Sequence, residues 1–175
     1  MKRTLSLVCA AAMLAGCSAA AQNTAAADDA GMEERNKQLA REFYEELWFS
    51  DNTDAYARFV ADEYVVHDVG DRKNVTEPAI EQKNIADMFH GFGDVSGAID
   101  WQMADGDMVA TRWTISLDAS PEAQEMGMTS VEDVPIINVF RFNEAGKIVE
   151  IWNHRHDVDL PRPPGLPPGA GSVQD

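Results

Sequence analysis

The spacing of hydrophobic residues changes along the chain from a helical pattern to a strand pattern. Across residues 33–49, apolar side chains recur about every three to four positions, as they do on one face of an amphipathic helix. The residues of this face are Leu39, Ala40, Phe43, Tyr44, Leu47 and Trp48. The pattern predicts a helix over residues 33–49 that packs its apolar face against the rest of the domain.

Two further helices and a short strand are predicted before the pattern changes. Asp51 or Thr53 is placed to cap a short helix, and Thr76 with Pro78 in the first turn begins a third one. Residues 64–67 are typical of a short strand or of the wall of a pocket. The apolar residues of the two helices are Tyr56, Phe59 and Val60, and Ile80, Met88, Phe89 and Phe92.

After Gly97 the apolar residues alternate with polar ones, which is typical of strands with one buried face. The predicted strands cover residues 98–104, 108–117, 134–142 and 147–156. Asp105 and Gly106 form a hairpin turn, and the polar residues 118–132 form a long loop that is a candidate lid. Helices followed by strands predict an α+β domain, with the N-terminal helices packed on one face of a curved antiparallel sheet.

The beginning of the chain has the features of a secretory signal peptide. Lys2 and Arg3 precede an apolar run over residues 5–14, which is too short to cross a bilayer. Residues 14–17, Leu-Ala-Gly-Cys, resemble a bacterial lipobox, in which the chain is cut before Cys17 and the thiol receives a lipid. An ordinary signal peptide cut at residues 19–21 is the alternative. The lipobox implies a lipid-anchored, periplasm-facing protein, and Ser18 favours the outer membrane.

Composition divides the chain into four parts. Residues 1–16 are the signal peptide, residues 17–31 carry the lipidated cysteine and a flexible tether, residues 32–160 form the domain, and residues 161–175 form a Pro/Gly-rich tail. Hydrophobic residues make up 45% of the chain, which is a globular composition. The net charge of −16, with no Lys/Arg cluster in the sequence, excludes nucleic acid as a partner.

Several short stretches of the chain, in their order and spacing, resemble one family. They are residues 43–48, 64–68, 105–114, 139–142 and 146–152. Together they resemble SnoaL-like proteins, the polyketide-cyclase branch of the nuclear transport factor 2-like superfamily. The resemblance implies a cone in which a strongly bent sheet wraps a long helix and leaves an apolar pocket at the wide end. It also implies a homodimer, no metal and no cofactor.

Alternation along the predicted strand 134–142 places Asn138 in the pocket that this resemblance implies. Ile136, Asn138, Phe140 and Phe142 share one face, and the aromatic residues make it the natural inward face. SnoaL-like cyclases carry an acidic general acid and base at the position that Asn138 resembles. An amide does not accept a proton near neutral pH, so Asn138 either donates a hydrogen bond to a ligand oxygen or bonds to its core neighbours. Asn138 is a candidate catalytic residue and Phe140 a candidate ligand contact.

The histidines are candidates for proton exchange, because imidazole titrates near neutral pH. The last strand places Trp152, His154 and His156 on one face, so that an inward Trp152 brings both histidines to the pocket mouth. His67 and Asp68 end the short strand, and SnoaL-like relatives commonly carry such a pair at the cavity. His67 and His154 are candidate catalytic residues, and Asp68, Trp152 and His156 are candidate ligand contacts. A satisfied, partly exposed histidine at a strand end is the alternative for each.

Arg112 and Thr114 share a face of the second long strand. Their spacing resembles the Arg-x-Asp part of the limonene-epoxide hydrolase site, but Thr114 stands where the aspartate is needed. Epoxide hydration by that mechanism is therefore not expected. Arg112 either binds a ligand's carboxylate or pairs with Glu150 in a structural ion pair.

These observations leave two functions open. The first is a lipid-anchored domain that binds a small, mostly apolar molecule and acts as a cofactor-free isomerase, cyclase or lyase on a carbonyl or polycyclic compound. In that case His67 or His154 is the base, while Asn138 and Arg112 polarise the oxygen. The second is a non-catalytic ligand-binding or protein-interaction module at the cell envelope, which the missing acid at Asn138 favours.

Overall fold

The computed structural model describes residues 16–67 and 74–155, with side chains over residues 28–67 and 74–153. The helical elements are α1 (Gly16–Leu47), a 3₁₀ turn (Thr53–Ala55), α2 (Tyr56–Phe59), α3 (Ile80–Phe92) and α4 (Pro121–Glu125). The strands are β1 (Val60–His67), β2 (Val75–Pro78), β3 (Gly93–Asp105), β4 (Met108–Ala119), β5 (Val131–Phe142) and β6 (Ile148–Arg155). This succession confirms the predicted α+β class. In the described ranges, no helix is both long enough and apolar enough to cross a membrane.

The six strands form one sheet in the order β2-β1-β6-β5-β4-β3. Neighbouring strands are antiparallel except β1 and β6, which run parallel. Parallel neighbours need a long crossover connection, and the chain supplies one because α3 and the meander β3–β5 lie between β1 and β6. The predicted antiparallel sheet therefore holds for β3 to β6, while β1 joins it as a parallel neighbour.

Helix α1 and one face of the sheet enclose the main core. Ala40, Phe43, Tyr44 and Leu47 of α1 are buried at the predicted helical spacing. The rings of Phe43 and Tyr44 lie 5.3 and 5.6 Å from the ring of Phe140 on β5. We call this face of the sheet the helix-facing side and the opposite face the outer side.

Two elements begin at positions that the sequence pattern does not predict. The backbone of α1 is already helical at Gly16, where the composition suggests a flexible tether over residues 17–31. Alanine has the highest helix propensity, and residues 17–30 contain neither glycine nor proline. Residues 75–78, predicted as the start of the third helix, instead form the strand β2 by pairing with β1. Pro78 is compatible with this strand because β2 lies at the edge of the sheet. Residues 1–15 and the tail 161–175 lie outside the described residues.

The predicted loop 118–132 is partly ordered as α4 and the start of β5. Ser120 caps α4 by accepting a hydrogen bond from the backbone N–H of Ala123 at 3.1 Å. Met128 is buried with Leu117, Ala119 and Ala123 in a second, smaller core. This segment is therefore packed onto the end of the sheet.

Candidate functional site

Asn138 lies on the helix-facing side of β5 and is 7% exposed. Its Oδ1 accepts hydrogen bonds from the Tyr44 hydroxyl at 3.0 Å and from Nε1 of Trp113 at 2.8 Å. Phe140, two residues further along the same face, is also buried. Alternation thus predicts the face of both residues correctly, and both belong to the packed core.

The contact with Trp113 fixes the direction of the Asn138 amide. An indole N–H only donates, so the atom of Asn138 that faces it must be the oxygen. The Nδ2 group then points to β6, where it donates to Oδ1 of Asn153 at 2.9 Å. The two asparagines are directly opposite in the antiparallel register. Asn153 therefore belongs to the site, although sequence reasoning did not select it.

An irregularity in the pairing of β5 with β6 explains why Asn153 was missed. Arg141 pairs with Glu150, whereas the next residue of β5 pairs with Ile148, so one residue of β6 is extra. Ile148 and Ile151 are both in the core, which puts Trp152 on the outer side. The prediction that Trp152 points inward is wrong for this reason. Two isoleucines three positions apart were the available signal, since strict alternation cannot bury both.

Tyr44 supplies a hydrogen-bond donor from the middle of the core. Burial raises the pKa of Tyr44 well above its ordinary value, while a hydrogen bond with Thr111 acts in the opposite direction. The hydroxyl therefore keeps its proton and donates to Asn138. Thr111 also accepts a hydrogen bond from Nε2 of Gln102 at 3.3 Å, which extends the polar network to β3.

Aromatic rings fill the space around this network. The Trp113 ring lies 4.8, 5.6 and 6.0 Å from the rings of Tyr44, Trp48 and Phe49. Depressions of about 370 and 440 Å³ in the described part of the surface lie away from Asn138 and Asn153. On the side of Trp113, large side chains of the protein itself occupy space expected for the conical pocket around Asn138, since α1 and the sheet both contribute rings at this level.

One group of side chains on the helix-facing side is slightly less buried than its neighbours. Exposure is 5–8% at Val66, Ile136, Asn138 and Ile151, compared with 0% at Ile148, while Asn153 beside them is partly exposed. We call the group Val66, Ile136, Asn138, Ile151 and Asn153 the amide rim. It is a group of mostly buried apolar side chains that contains one pair of hydrogen-bonded amides.

The imidazole of His67 lies on the outer side, away from the amide rim. Its ring is stacked on Trp152, with a centroid distance of 4.2 Å and an interplanar angle of 6°. Nε2 lies 2.7 Å from Oε2 of Glu150, and Nδ1 lies 2.6 Å from Oδ1 of Asn74. The expectation that His67 and Trp152 line the interior pocket is therefore wrong, because Val66 and Ile151 take the inward positions.

Arg112 also lies on the outer side, where it forms an ion pair with Asp100 of β3. Glu150, the partner expected for Arg112, is instead 2.9 Å from Nε of Arg141. The bulge at the pairing of Ile99 and Trp101 brings Asp100 next to Arg112. Arg112 is thus held by a neighbour that the sequence alone does not identify.

Four predicted residues have no described side chain. His154 belongs to β6, where its backbone pairs with Ile137, and Cys17 belongs to the first turn of α1. Asp68 and His156 lie outside the described residues. Their predicted roles stay predictions. In the described ranges, no three His, Cys, Asp or Glu side chains lie close enough to hold a metal ion.

His90 is a titratable residue that sequence reasoning left out. Its Nε2 donates to the backbone oxygen of Leu47 at 2.9 Å, and its Nδ1 lies 3.8 Å from Oδ1 of Asp51. His90, Asp51 and Phe49 line the depression of about 370 Å³. The position of His90 in the last turn of α3, where a basic residue complements the helix dipole, was the available signal.

Comparison with known proteins identifies a family. The SnoaL-like polyketide cyclase profile matches residues 38–162. No curated protein matches the chain.

Solved structures share the fold at low sequence identity. A candidate polyketide cyclase from Acidithiobacillus ferrooxidans is 21% identical, with a TM-score of 0.57, over 72% of this chain and 91% of that one. An LEH-like epoxide hydrolase from M. tuberculosis is 17% identical, with a TM-score of 0.56, over 73% of this chain and 87% of that one. SalBIII, an epoxide hydrolase/cyclase-like enzyme in pyran ring formation, is 17% identical, with a TM-score of 0.57, over 73% and 95%.

Proposed function

The chain belongs to the SnoaL-like polyketide cyclase family, and from this premise we propose that it binds a small, mostly apolar molecule at the amide rim without transferring a proton there. The family fold is consistent with small-molecule binding or catalysis. The amide rim is a part of the helix-facing side where buried apolar side chains lie beside two amides, of which Asn153 is partly exposed.

The environment of Asn138 is the observation that carries this proposal. An acid at this position could exchange a proton, whereas an amide cannot do so near neutral pH. Its oxygen is already occupied by two donors and its nitrogen by Asn153. Of the described side chains of β3 to β6 that face the helices, none is a carboxylate. Binding therefore fits this site better than acid–base catalysis by Asn138.

Ile136 and Ile137 offer a matched pair for testing the binding site. They are adjacent on β5, with Ile136 in the core and Ile137 on the outer side. Small molecules that co-purify with the full-length protein in detergent are identified by native mass spectrometry. We expect Ile136→Trp to remove them, because the larger side chain fills the amide rim, and Ile137→Trp to retain them. Retention by both variants, each shown to be folded by circular dichroism, contradicts the proposed site.

We further propose that a lipid on Cys17 anchors the protein to the envelope, facing the periplasm. The support is the Leu-Ala-Gly-Cys sequence at residues 14–17 after a short apolar run. The backbone of α1 is helical from Gly16 to Leu47, so a lipid on Cys17 would be connected to the core through one helix. Labelling of bacteria with an alkyne fatty acid tests this: the wild type takes up label and stays in the membrane fraction, and Cys17→Ala does neither. Equal labelling of the two proteins contradicts the anchor.

We also propose that two copies associate through the outer side of the sheet. Trp101 and Met103 of β3 are 40% and 61% exposed on that side, which is unusual for large apolar residues of one strand. A second copy would cover both by placing its own outer side against them. The oligomeric state of a Met103 variant, described in the Discussion, tests this association.

A further inference from the structure

We infer that the depression of about 370 Å³ beside His90 binds an organic cation, a primary ammonium group attached to an apolar body. None of the residues that line this depression belongs to the amide rim, so the inference is independent of the binding proposed there. It follows from the way His90 is held, from the charge at the ends of two helices and from the side chain of Phe49.

The hydrogen bond between His90 and Leu47 decides which imidazole nitrogen carries the proton. The backbone oxygen of Leu47 only accepts, so Nε2 of His90 must donate the bond of 2.9 Å. In the neutral imidazole Nδ1 is then an acceptor, and it lies 3.8 Å from Oδ1 of Asp51. That distance is too long for a direct hydrogen bond. Two acceptors therefore lie side by side at the wall of the depression.

An ammonium group fits these two acceptors, because one nitrogen with several N–H groups reaches both at about 2.8 Å, the usual length of a charge-assisted hydrogen bond. The side chain of Asp51 is 68% exposed and that of His90 is 11% exposed, so the ligand meets the carboxylate at the surface and the imidazole beneath it. A metal ion needs more ligands than this pair offers, and no third His, Cys, Asp or Glu of the described chain is close enough to complete a site.

Two helices end at this depression and favour a cation there. Helix α1 ends at Leu47 and residues 49–51 follow it directly, while His90 lies in the last turn of α3. The C-terminal end of a helix carries a partial negative charge. Asp51 and Asp94 add two carboxylates, and among the described residues no lysine or arginine lines the depression. The net charge of −16 acts in the same direction over the whole chain.

Phe49 and Val95 supply an apolar surface beside the charged groups. Both side chains are partly buried against the main core, and both line the depression. An ammonium group is attracted to the face of an aromatic ring, and the apolar body of a ligand gains free energy by covering these side chains. An amine with an aromatic or aliphatic body would use the ring, the carboxylates and the imidazole together, whereas an inorganic monovalent cation would use the charge alone.

Three probes that share a benzyl group test the inference. Benzylamine carries a primary ammonium group, benzyltrimethylammonium keeps the charge without an N–H group, and benzyl alcohol has no charge. The ¹⁵N-labelled full-length protein is titrated in detergent at about pH 8, where imidazoles are mostly neutral, and binding is followed at the backbone amides of Ser50, Asp51 and Asp94. We expect benzylamine to bind about threefold or more tightly than either of the other probes. Long-range ¹H–¹⁵N spectra should show the proton of His90 on Nε2, and the Nδ1 resonance should shift with benzylamine.

Asp51→Asn is the decisive variant, because it removes the carboxylate and keeps a residue type that tolerates the φ of 54° at this position. Asp133→Asn is the matched control, since Asp133 has a φ of 52° and the same charge but does not line the depression. We expect benzylamine binding to weaken about threefold or more in Asp51→Asn and to stay within about twofold in Asp133→Asn.

Four results would overturn the inference. Equal weakening by the two variants would show attraction by the net charge alone. Equal binding of benzylamine and either comparison probe would remove the role of the N–H groups or of the charge. A proton on Nδ1 of His90 in the free protein at this pH would remove the acceptor pair, and backbone amides that do not shift with benzylamine would remove the site.

Discussion

The imidazole of His67 lies nearly parallel to the indole of Trp152, with 4.2 Å between their centroids, on the outer side of the sheet. The two residues are direct neighbours in the parallel pairing of β1 with β6. Both nitrogens of His67 are also within hydrogen-bond distance of side chains, Glu150 and Asn74. His67 therefore helps to join β1 to the rest of the sheet and is not directed toward the amide rim.

His67→Ala is expected to lower stability without changing ligand binding. The variant loses a stacked ring and the hydrogen bond to Glu150, which together cost about 1–3 kcal/mol. Urea denaturation measures the loss, and the small molecules that co-purify with the wild type should co-purify with this variant as well. His67→Phe is the matched control, since it keeps a ring on Trp152 and should recover part of the stability. A strong loss of binding in a folded His67→Ala protein would place His67 in the binding site after all.

Asn138→Asp is expected to destabilise the protein and to turn the Asn153 amide over. The new carboxylate keeps the donors Tyr44 and Trp113 on one oxygen, but its other oxygen faces Oδ1 of Asn153. Two acceptors in contact cost about 1–3 kcal/mol unless Asn153 rotates to donate instead. Urea denaturation and the Asn153 side-chain resonances report the two effects. Unchanged stability together with unchanged Asn153 resonances would show that the amides are not coupled.

Stability should decrease as the pH rises above about 10. Burial raises the pKa of Tyr44 and Tyr64 above the ordinary value of 10.0, so in the folded protein both stay protonated where the unfolded chain ionises. The folded state then holds more protons, and stability is lost as the pH rises from the unfolded pKa toward the folded one. Urea midpoints between pH 8 and pH 11 measure this. Tyr64→Phe should show a shallower decrease than the wild type, and an identical pH profile would contradict this cause.

Gly97→Ala is expected to destabilise the protein strongly. A Cβ at this position would lie 2.4 Å from Cε1 of Phe49 and 2.4 Å from the backbone oxygen of Thr114. Relieving such contacts typically costs about 1–3 kcal/mol or more. Gly91→Ala in α3 is the control, because its Cβ meets nothing within 4 Å and alanine favours helix. Thermal denaturation should separate the two variants, and equal melting temperatures would be inconsistent with close packing of Phe49 on β3.

Met103→Glu is expected to weaken self-association. Met103 is 61% exposed on the outer side beside Trp101, and a charge there would be buried against the second copy. Analytical ultracentrifugation should show the dimer dissociation constant rising about tenfold or more. Met126→Glu is the control, because Met126 is similarly exposed but follows α4 at the end of the sheet. A monomeric wild type would refute the proposed dimer.

Much of the architecture could be predicted because it depends on local periodicity. The buried face of α1, with Phe43 and Tyr44, follows from helical spacing, and the inward position of Asn138 follows from alternation on β5. Edge strand β2 could not be predicted this way, since residues 75–78 form a strand only by pairing with β1. The parallel pairing of β1 with β6 likewise joins residues far apart in the chain.

The sequence by itself determined the α+β class, the succession from N-terminal helices to the strands β3 to β6, and the amide at position 138, because each depends on residue type or on spacing along a few residues. The tertiary structure decided that Trp152 faces outward, since a single extra residue in β6 reverses the faces of that strand, and that His67 of β1 stacks on it there. It also brought Trp113, Asn138 and Asn153 into one hydrogen-bonded series from three strands. Periodicity gives no information about such contacts, because they depend on the register between strands and on how the rings of α1 fill the space above the sheet.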